Sequence, residues 1–185
     1  MDTLWYFAYG TNMSSKVLAR RGLTPKQSKP GMVAGYRLSF SHAGLLPIEP
    51  AFANIEPDES ACVHGVLHLM SPHQLKRLDR YEGAEYRHVD VTVATGGGDV
   101  TALAYLDPNI VLGIIPSRRY LRTCCQGARE FGVPEEYVRT LESNPSLHWP
   151  IVSDIANLFV KSAERLRHSG LRPERLRMAW RALRR

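Results

Sequence analysis

Glu82 is the carboxylate best placed to move a proton. It stands in Leu78-Asp79-Arg80-Tyr81-Glu82-Gly83, at the end of a predicted helix. The C-terminus of a helix carries partial negative charge, so a carboxylate there is held in an unfavourable field. If also buried, such a group suits general base work. The same position suits a solvated acid in a turn, and neighbouring Glu85, Tyr86 and Arg87 are compatible with a surface ion pair. A second candidate is the turn Tyr9-Gly10-Thr11-Asn12-Met13. Glycine lets a ligand approach the backbone and tolerates positive φ; asparagine makes local turns. Backbone N–H groups left without partners between a strand and a helix start can hold a carboxylate or phosphate. An ordinary turn after a buried strand fits the same residues.

The other chemical groups point less clearly. His64 and His68 share a strand face at a spacing of four, with no third metal ligand at a fitting distance in sequence. Cys124 and Cys125 fall mid-helix, as core residues do, and Cys62 stands apart. Three cysteines without a C-x-x-C pair are neither a disulfide framework nor a thiolate zinc site, and they fit a reducing, cytoplasmic setting. Nucleotide-binding glycine loops and the G-x-S-x-G elbow are absent from the sequence.

The elements that must position these groups follow from periodicity. Residues 4–8 are an unbroken apolar and aromatic run, the pattern of a strand buried on both faces. Ser14 or Ser15 then caps a short helix. Further strands are predicted at 32–41, 52–55, 61–70, 86–93 and 100–106, with loops at 21–31 and 42–50. Gly65 within the strand 61–70 marks a bulge or a close approach. Residues 96–99 form a hairpin turn. Ser71-Pro72-His73-Gln74 is a strong helix start, with serine as N-cap, proline first in the helix and glutamine three residues on. That helix turns Leu75 and Leu78 inward and ends near Gly83. Helices at about 118–131 and 135–142 follow, opened by Ser117 and Pro134. Strands first and helices last, joined mostly by hairpins, predict an α+β fold. We expect a small mixed or antiparallel barrel of about six strands with flanking helices.

The chain has 185 residues, enough for one sizeable core, so residues 1–150 are expected to form the main domain. Residues 151–185 hold nine basic and three acidic residues, which accounts for the whole net charge of +6. They are expected to form a helical basic extension, with helices at 153–168 and 174–183. The last helix either packs its Leu and Trp side on the body with a solvated arginine face, or meets an anionic partner. No apolar run is long enough for a membrane span, and the first residues do not read as a signal peptide.

The motifs together resemble the γ-glutamylcyclotransferase family. Residues 6–13, Tyr-Phe-Ala-Tyr-Gly-Thr-Asn-Met, are similar to its Y-G-S-N-[LM] loop, with Thr11 in place of serine and the hydroxyl kept. Glu82-Gly83 is similar to its later E-G turn. Pro116-Ser117-Arg118-Arg119-Tyr120 resembles P-S-x-x-Y, and residues 127–137 resemble G-A-x-x-x-G-[LV]-P-x-x-Y. The match spans residues 4–143, about three-quarters of the chain, and does not reach the basic extension. It implies a small barrel with one pocket, an enzyme that releases 5-oxoproline from a γ-glutamyl compound, and no metal or cofactor. Glu82 would be the general acid/base; Tyr9, Gly10, Thr11, Asn12, Met13, Tyr86 and Tyr120 would bind substrate. A specialised biosynthetic intermediate or a γ-glutamyl-amine is an alternative substrate of the same chemistry. A binding module acting through its basic tail is the non-enzymatic alternative. A homodimer is compatible with such a fold.

Overall fold

Two long strands carry most of the sheet. In this computed structural model, which describes residues 3–46, 48–83 and 85–148, β1 is Leu4–Ala8, β2 Gln27–Leu46, β3 Glu49–Met70, β4 Arg87–Thr95 and β5 Gly98–Leu106. The helices are α1 Ser15–Arg20, α2 Pro72–Glu82, α3 Arg118–Glu130 and α4 Glu135–Glu142, and a 3₁₀ turn covers Thr11–Met13. The strands close into a barrel in the order β1-β3-β2-β4-β5. Neighbours run antiparallel except β1 and β5, which pair in parallel at Tyr6 and Leu103 and close the ring. The fold is therefore α+β, as the order of elements predicts.

The strand count differs from six for a local reason. Residues 52–55 and 61–70 belong to the single strand β3, because Pro57 pairs opposite Tyr36 and does not end it. The expected break is absorbed as a bulge: Gly35, at φ +79°, alone faces residues 58–61. On the other side β2 starts early and includes Pro30, opposite Val66. A missing N–H is tolerated where a strand has one neighbour, and among the described residues β4 pairs with β2 at Met32, two residues beyond Pro30.

The buried residues fall into two cores, one inside the barrel and one between barrel and helices. Phe7, Tyr9, Val33, Ile55, Val63, Leu67, Val91 and Val93 fill the barrel. Tyr6, Ala8, Met13, Val66, Met70, Leu75, Leu78, Leu121, Cys124 and Cys125 pack between barrel and helices. The capping box at Ser71 and Gln74 starts α2, Leu75 and Leu78 turn inward, and Gly83 at φ +82° ends it. Gly65 is a close approach: a Cβ there would stand 2.3 Å from the Ala8 carbonyl oxygen. The basic extension 151–185 lies outside the described residues. No helix among the described residues is long and apolar enough to cross a membrane.

α3 meets the 3₁₀ turn at Gly127, where a Cβ would lie 2.5 Å from Ser14 N and 2.8 Å from Met13 C. Those are backbone atoms and cannot swing aside. Gly127→Ala should therefore destabilise the fold by about 1–3 kcal/mol and push the turn out of place, read as a lower denaturant midpoint with unchanged slope.

Candidate active site

The turn after β1 is built by its own hydrogen bonds. Met13 N–H donates to Gly10 O at 3.1 Å and Ser14 N–H to Thr11 O at 3.0 Å. The turn therefore does not use the amides of Gly10, Thr11 and Asn12. Gly10 has φ −115°, so positive φ is not its reason for being glycine, contrary to one sequence expectation. Space is the reason: a Cβ there would lie 3.0 Å from the Tyr120 hydroxyl and 3.3 Å from Ala53 Cβ. Asn12 likewise does not use the left-handed region. Met13 is fully buried in the core beside α3, and its N–H, expected among the amides of the substrate cradle, is instead taken up by Gly10 O. Thr11 is partly buried and shows no side-chain hydrogen bond among the described residues.

His68 fixes this turn from beneath. It is fully buried, and its Nε2–H donates to Asn12 O at 3.0 Å. Nδ1, 2.8 Å from Ser28 Oγ, then accepts from that hydroxyl. Burial pushes its pKa down to about 4, so the ring is neutral near pH 7. Unfolded histidine titrates near 6.5. Below that pH the unfolded chain takes up a proton that folded His68 refuses. The stability it permits is full above pH 6.5 and falls progressively as pH drops from 6.5 to about 4, by roughly 3 kcal/mol in all. Urea unfolding at pH 7 and pH 4.5 should show this fall in the wild type and a shallower one in His68→Gln.

Glu82 is the last residue of α2, and α2 delivers it to this turn. Asn12 Nδ2 donates to Glu82 Oε1 at 2.8 Å and to the Tyr6 hydroxyl at 2.9 Å. Arg21 Nη1 donates to the same Oε1 at 2.9 Å and to Asn12 Oδ1 at 2.8 Å. The ion pair is shielded, with side chains 18% and 16% exposed. Arg21 caps the end of α1, lies 5.1 Å over the Tyr81 ring, and receives Arg77 Nε on its carbonyl at 2.6 Å. Its Nε is buried without a hydrogen-bond partner among the described residues. The loop and the glutamate, 70 residues apart, thus touch through one asparagine and one arginine.

Three tyrosines, Tyr9 buried and Tyr86 and Tyr120 partly buried, form the adjacent wall. The Tyr9 hydroxyl donates to the Tyr105 carbonyl. The Tyr86 hydroxyl donates to Ala53 O at 2.9 Å, and Ala53 N–H donates to the Tyr120 hydroxyl at 3.0 Å. A bulge makes this possible. β2 inserts Phe40 and Ser41 between Ser39 and His42, while β3 has only Ala53 between Asn54 and Phe52. The Ala53 peptide is left out of the ladder, and the two tyrosines satisfy it. Tyr120 uses its oxygen as acceptor there; Tyr9 and Tyr86 donate their protons to carbonyls. Burial pushes all three phenols well above their ordinary pKa, and the nearby Glu82 charge adds to each shift. They are neutral at any working pH.

The structure therefore brings Tyr9, Gly10, Asn12, Glu82, Tyr86 and Tyr120 to one place. Sequence reasoning missed Arg21, Tyr6, His68 and the Ala53 peptide. Arg21 falls in the predicted loop 21–31, and nothing local ties it to Glu82. Of the two histidines on one strand face, His64 packs on the Tyr137 ring at 4.8 Å and His68 holds the turn, so they do not share a ligand. Among the described residues the potential metal-ligating cluster is His42, Glu85 and Asp107, with donor atoms within 4.8 Å of one another. There His42 Nδ1 is already 2.5 Å from Asp107 Oδ2, a hydrogen bond and closer than two ligands of one cation stand.

Chemically, the arrangement offers one oriented carboxylate, the Tyr120 hydroxyl beside Gly10 and, among the described residues, the amides of Gly10, Thr11 and Asn12, which the turn does not use. That set suits proton transfer at an amine beside a carbonyl whose oxygen gains negative charge. Comparison with known proteins points the same way. The model of the AIG2-like family matches residues 62–141. A γ-glutamylcyclotransferase of Bos taurus is 28% identical over 175 residues, covering 90% of this chain and 93% of the relative. One of Homo sapiens is 28% identical over 171 residues, covering 88% and 90%. A solved structure of a γ-glutamyl cyclotransferase superposes with a TM-score of 0.73 at 25% identity, covering 86% of this chain and 99% of that one.

Proposed function

Because the chain belongs to the γ-glutamylcyclotransferase family, we propose that it cyclises γ-glutamyl compounds, releasing 5-oxoproline and a free amino acid or amine. The substrate's α-amino group must attack its own γ-carbonyl, yet near pH 7 it is an ammonium. The Glu82 carboxylate takes that proton, and the freed amine closes the five-membered ring. Both protein donors fall on Oε1 of Glu82, which leaves Oε2 to accept. The ring nitrogen gives up a second proton as the C–N bond to the leaving group breaks, and both protons pass by way of Glu82 to the departing nitrogen, which leaves as an ammonium. Atoms balance without water, metal or redox cofactor.

The attack is intramolecular, so holding the γ-glutamyl arm folded supplies much of the acceleration. The amides of Gly10, Thr11 and Asn12 and the Tyr120 O–H beside Gly10 are the donors for the substrate's carboxylate and the developing oxyanion. Tyr9 and Tyr86 line the arm and offer only lone pairs to an ammonium. The single observation that supports this reading best is the pairing of Glu82 with Asn12 and Arg21. It gives the carboxylate a fixed direction beside the loop.

The leaving group is a finer matter. A panel of γ-glutamyl amino acids, γ-glutamyl dipeptides and γ-glutamyl-amines, each assayed for 5-oxoproline, tests both the reaction and its range. Release from at least one class is expected. Absence of release from every class would overturn the proposal and favour a binding module.

A further inference from the structure

A second polar cluster, buried and unused by the chemistry above, sits behind the tyrosine wall. Ser41, His42, Asn54 and Asp107 are each at most 5% exposed. His42 Nδ1 lies 2.5 Å from Asp107 Oδ2. Asp107 is itself locked: its N–H donates to Asn54 Oδ1 at 3.0 Å, its carbonyl accepts from Asn54 Nδ2 at 2.8 Å, and its Oδ1 accepts from Asn109 N–H at 2.8 Å. Asn54 Nδ2 also reaches Ser41 Oγ at 3.2 Å. The cluster ties β2 and β3 to the end of β5, and β2 and β5 are not neighbours in the barrel. Side chains thus make a link there that the strand ladder does not.

The output of this cluster is one imidazole plane. The His42 ring lies 4.4 Å from the Tyr86 ring, tilted by 32°, and 6.0 Å from Phe52. Phe52 in turn meets Tyr120 edge-on at 5.2 Å. Beyond Nε2 stands Glu85, with Oε2 at 3.9 Å. A histidine held by a carboxylate on Nδ1 has a fixed ring orientation. Here that fixed ring is pressed against the tyrosine whose hydroxyl holds Ala53 O.

We propose that His42, oriented by Asp107, is a positioning residue that sets the angle of Tyr86 and, through Phe52, steadies Tyr120. The inference rests on the proposed role of these tyrosines in holding the γ-glutamyl arm. His42 reaches no reacting atom and acts only through the wall. A small tilt of Tyr86 misplaces the arm at the moment of ring closure, so the loss falls mainly on kcat.

Two variants divide the device. His42→Asn keeps a donor for Asp107 and loses the ring; His42→Phe keeps a ring and loses the donor. Each should lower kcat by on the order of tenfold, with KM changed much less and with the thermal midpoint showing that the chain is folded. The deciding measurement is a double-mutant cycle with Tyr86→Ala. If His42 acts through Tyr86, His42→Asn adds little further loss in the Tyr86→Ala background. Full multiplication of the two losses, or wild-type kcat in both His42 variants, would overturn the inference. Aromatic proton shifts of Tyr86 give a readout independent of turnover. They should move in His42→Asn even if the wild type releases no 5-oxoproline, and unchanged shifts would also overturn the inference. Absence of 5-oxoproline with moved shifts would count against the proposed reaction alone.

Discussion

Glu82→Gln should lose 5-oxoproline release by on the order of 10³-fold in kcat while keeping its fold. Glutamine is nearly isosteric with glutamate, and its Oε1 can still accept from Asn12 Nδ2 and Arg21 Nη1. The side chain therefore keeps its direction and loses only the capacity to take a proton. Because binding contacts of the arm lie elsewhere, KM should change little. The split matters: a large fall in kcat with KM preserved marks a group that acts in the transition state. Near wild-type turnover in a folded Glu82→Gln protein would remove Glu82 from the mechanism. Steady-state kinetics together with a thermal melt decide it.

Arg21→Met should have the second largest effect, a fall in kcat/KM on the order of 10²-fold. One nitrogen, Nη1, holds both Glu82 Oε1 and Asn12 Oδ1. Without it the carboxylate is left with Asn12 alone, and Asn12 loses the partner that orients its amide. The pair is mostly shielded from water, so a stability loss of about 1–3 kcal/mol is expected as well. Arg21→Lys separates position from packing. A lysine ammonium replaces the single donating nitrogen but not the guanidinium plane over Tyr81. It should recover a large part of the activity lost in Arg21→Met. Wild-type kcat/KM in Arg21→Met would mean that Arg21 serves the fold only.

Much of the scaffold was legible because it rests on local rules. Serine, proline and glutamine at 71, 72 and 74 predict the start of α2, and the capping box forms. Pro134 opens α4, and Gly83 and Gly132 adopt the positive φ that ends a helix. The run at β1 predicts a strand buried on both faces, and Phe7 and Tyr6 lie in the two separate cores. Bulges were not legible. A proline or a turn-forming triplet reads as an end, yet Pro57 and Pro30 sit inside long strands, opposite Tyr36 and Val66. Nor could spacing alone show that a bulge at residues 39–42 frees the Ala53 peptide for two tyrosines.

The same division holds at the site. Glu82 and the Gly10 loop were visible as a helix end and a turn. Their meeting was not, because Asn12 and Glu82 stand 70 residues apart and Arg21 and Glu82 stand 61 apart. His68 gave a misleading signal. On a strand face with His64 it looks like half of a metal pair, yet its nitrogens are taken by Asn12 O and Ser28 Oγ. Met13 stood in the resembling motif and proved to be core. Motif membership marks where the loop is, and only packing decides which of its side chains point at a ligand.

The most direct measurement is product identity. The purified protein is incubated with a γ-glutamyl dipeptide that the substrate panel finds active, and the products are resolved by mass spectrometry. Cyclotransfer predicts 5-oxoproline and the free amine-bearing partner in one-to-one amounts, with no oxygen taken from labelled water. Free glutamate carrying the label would mean that water, and not the substrate's own amine, attacks the γ-carbonyl, and would contradict the proposed mechanism.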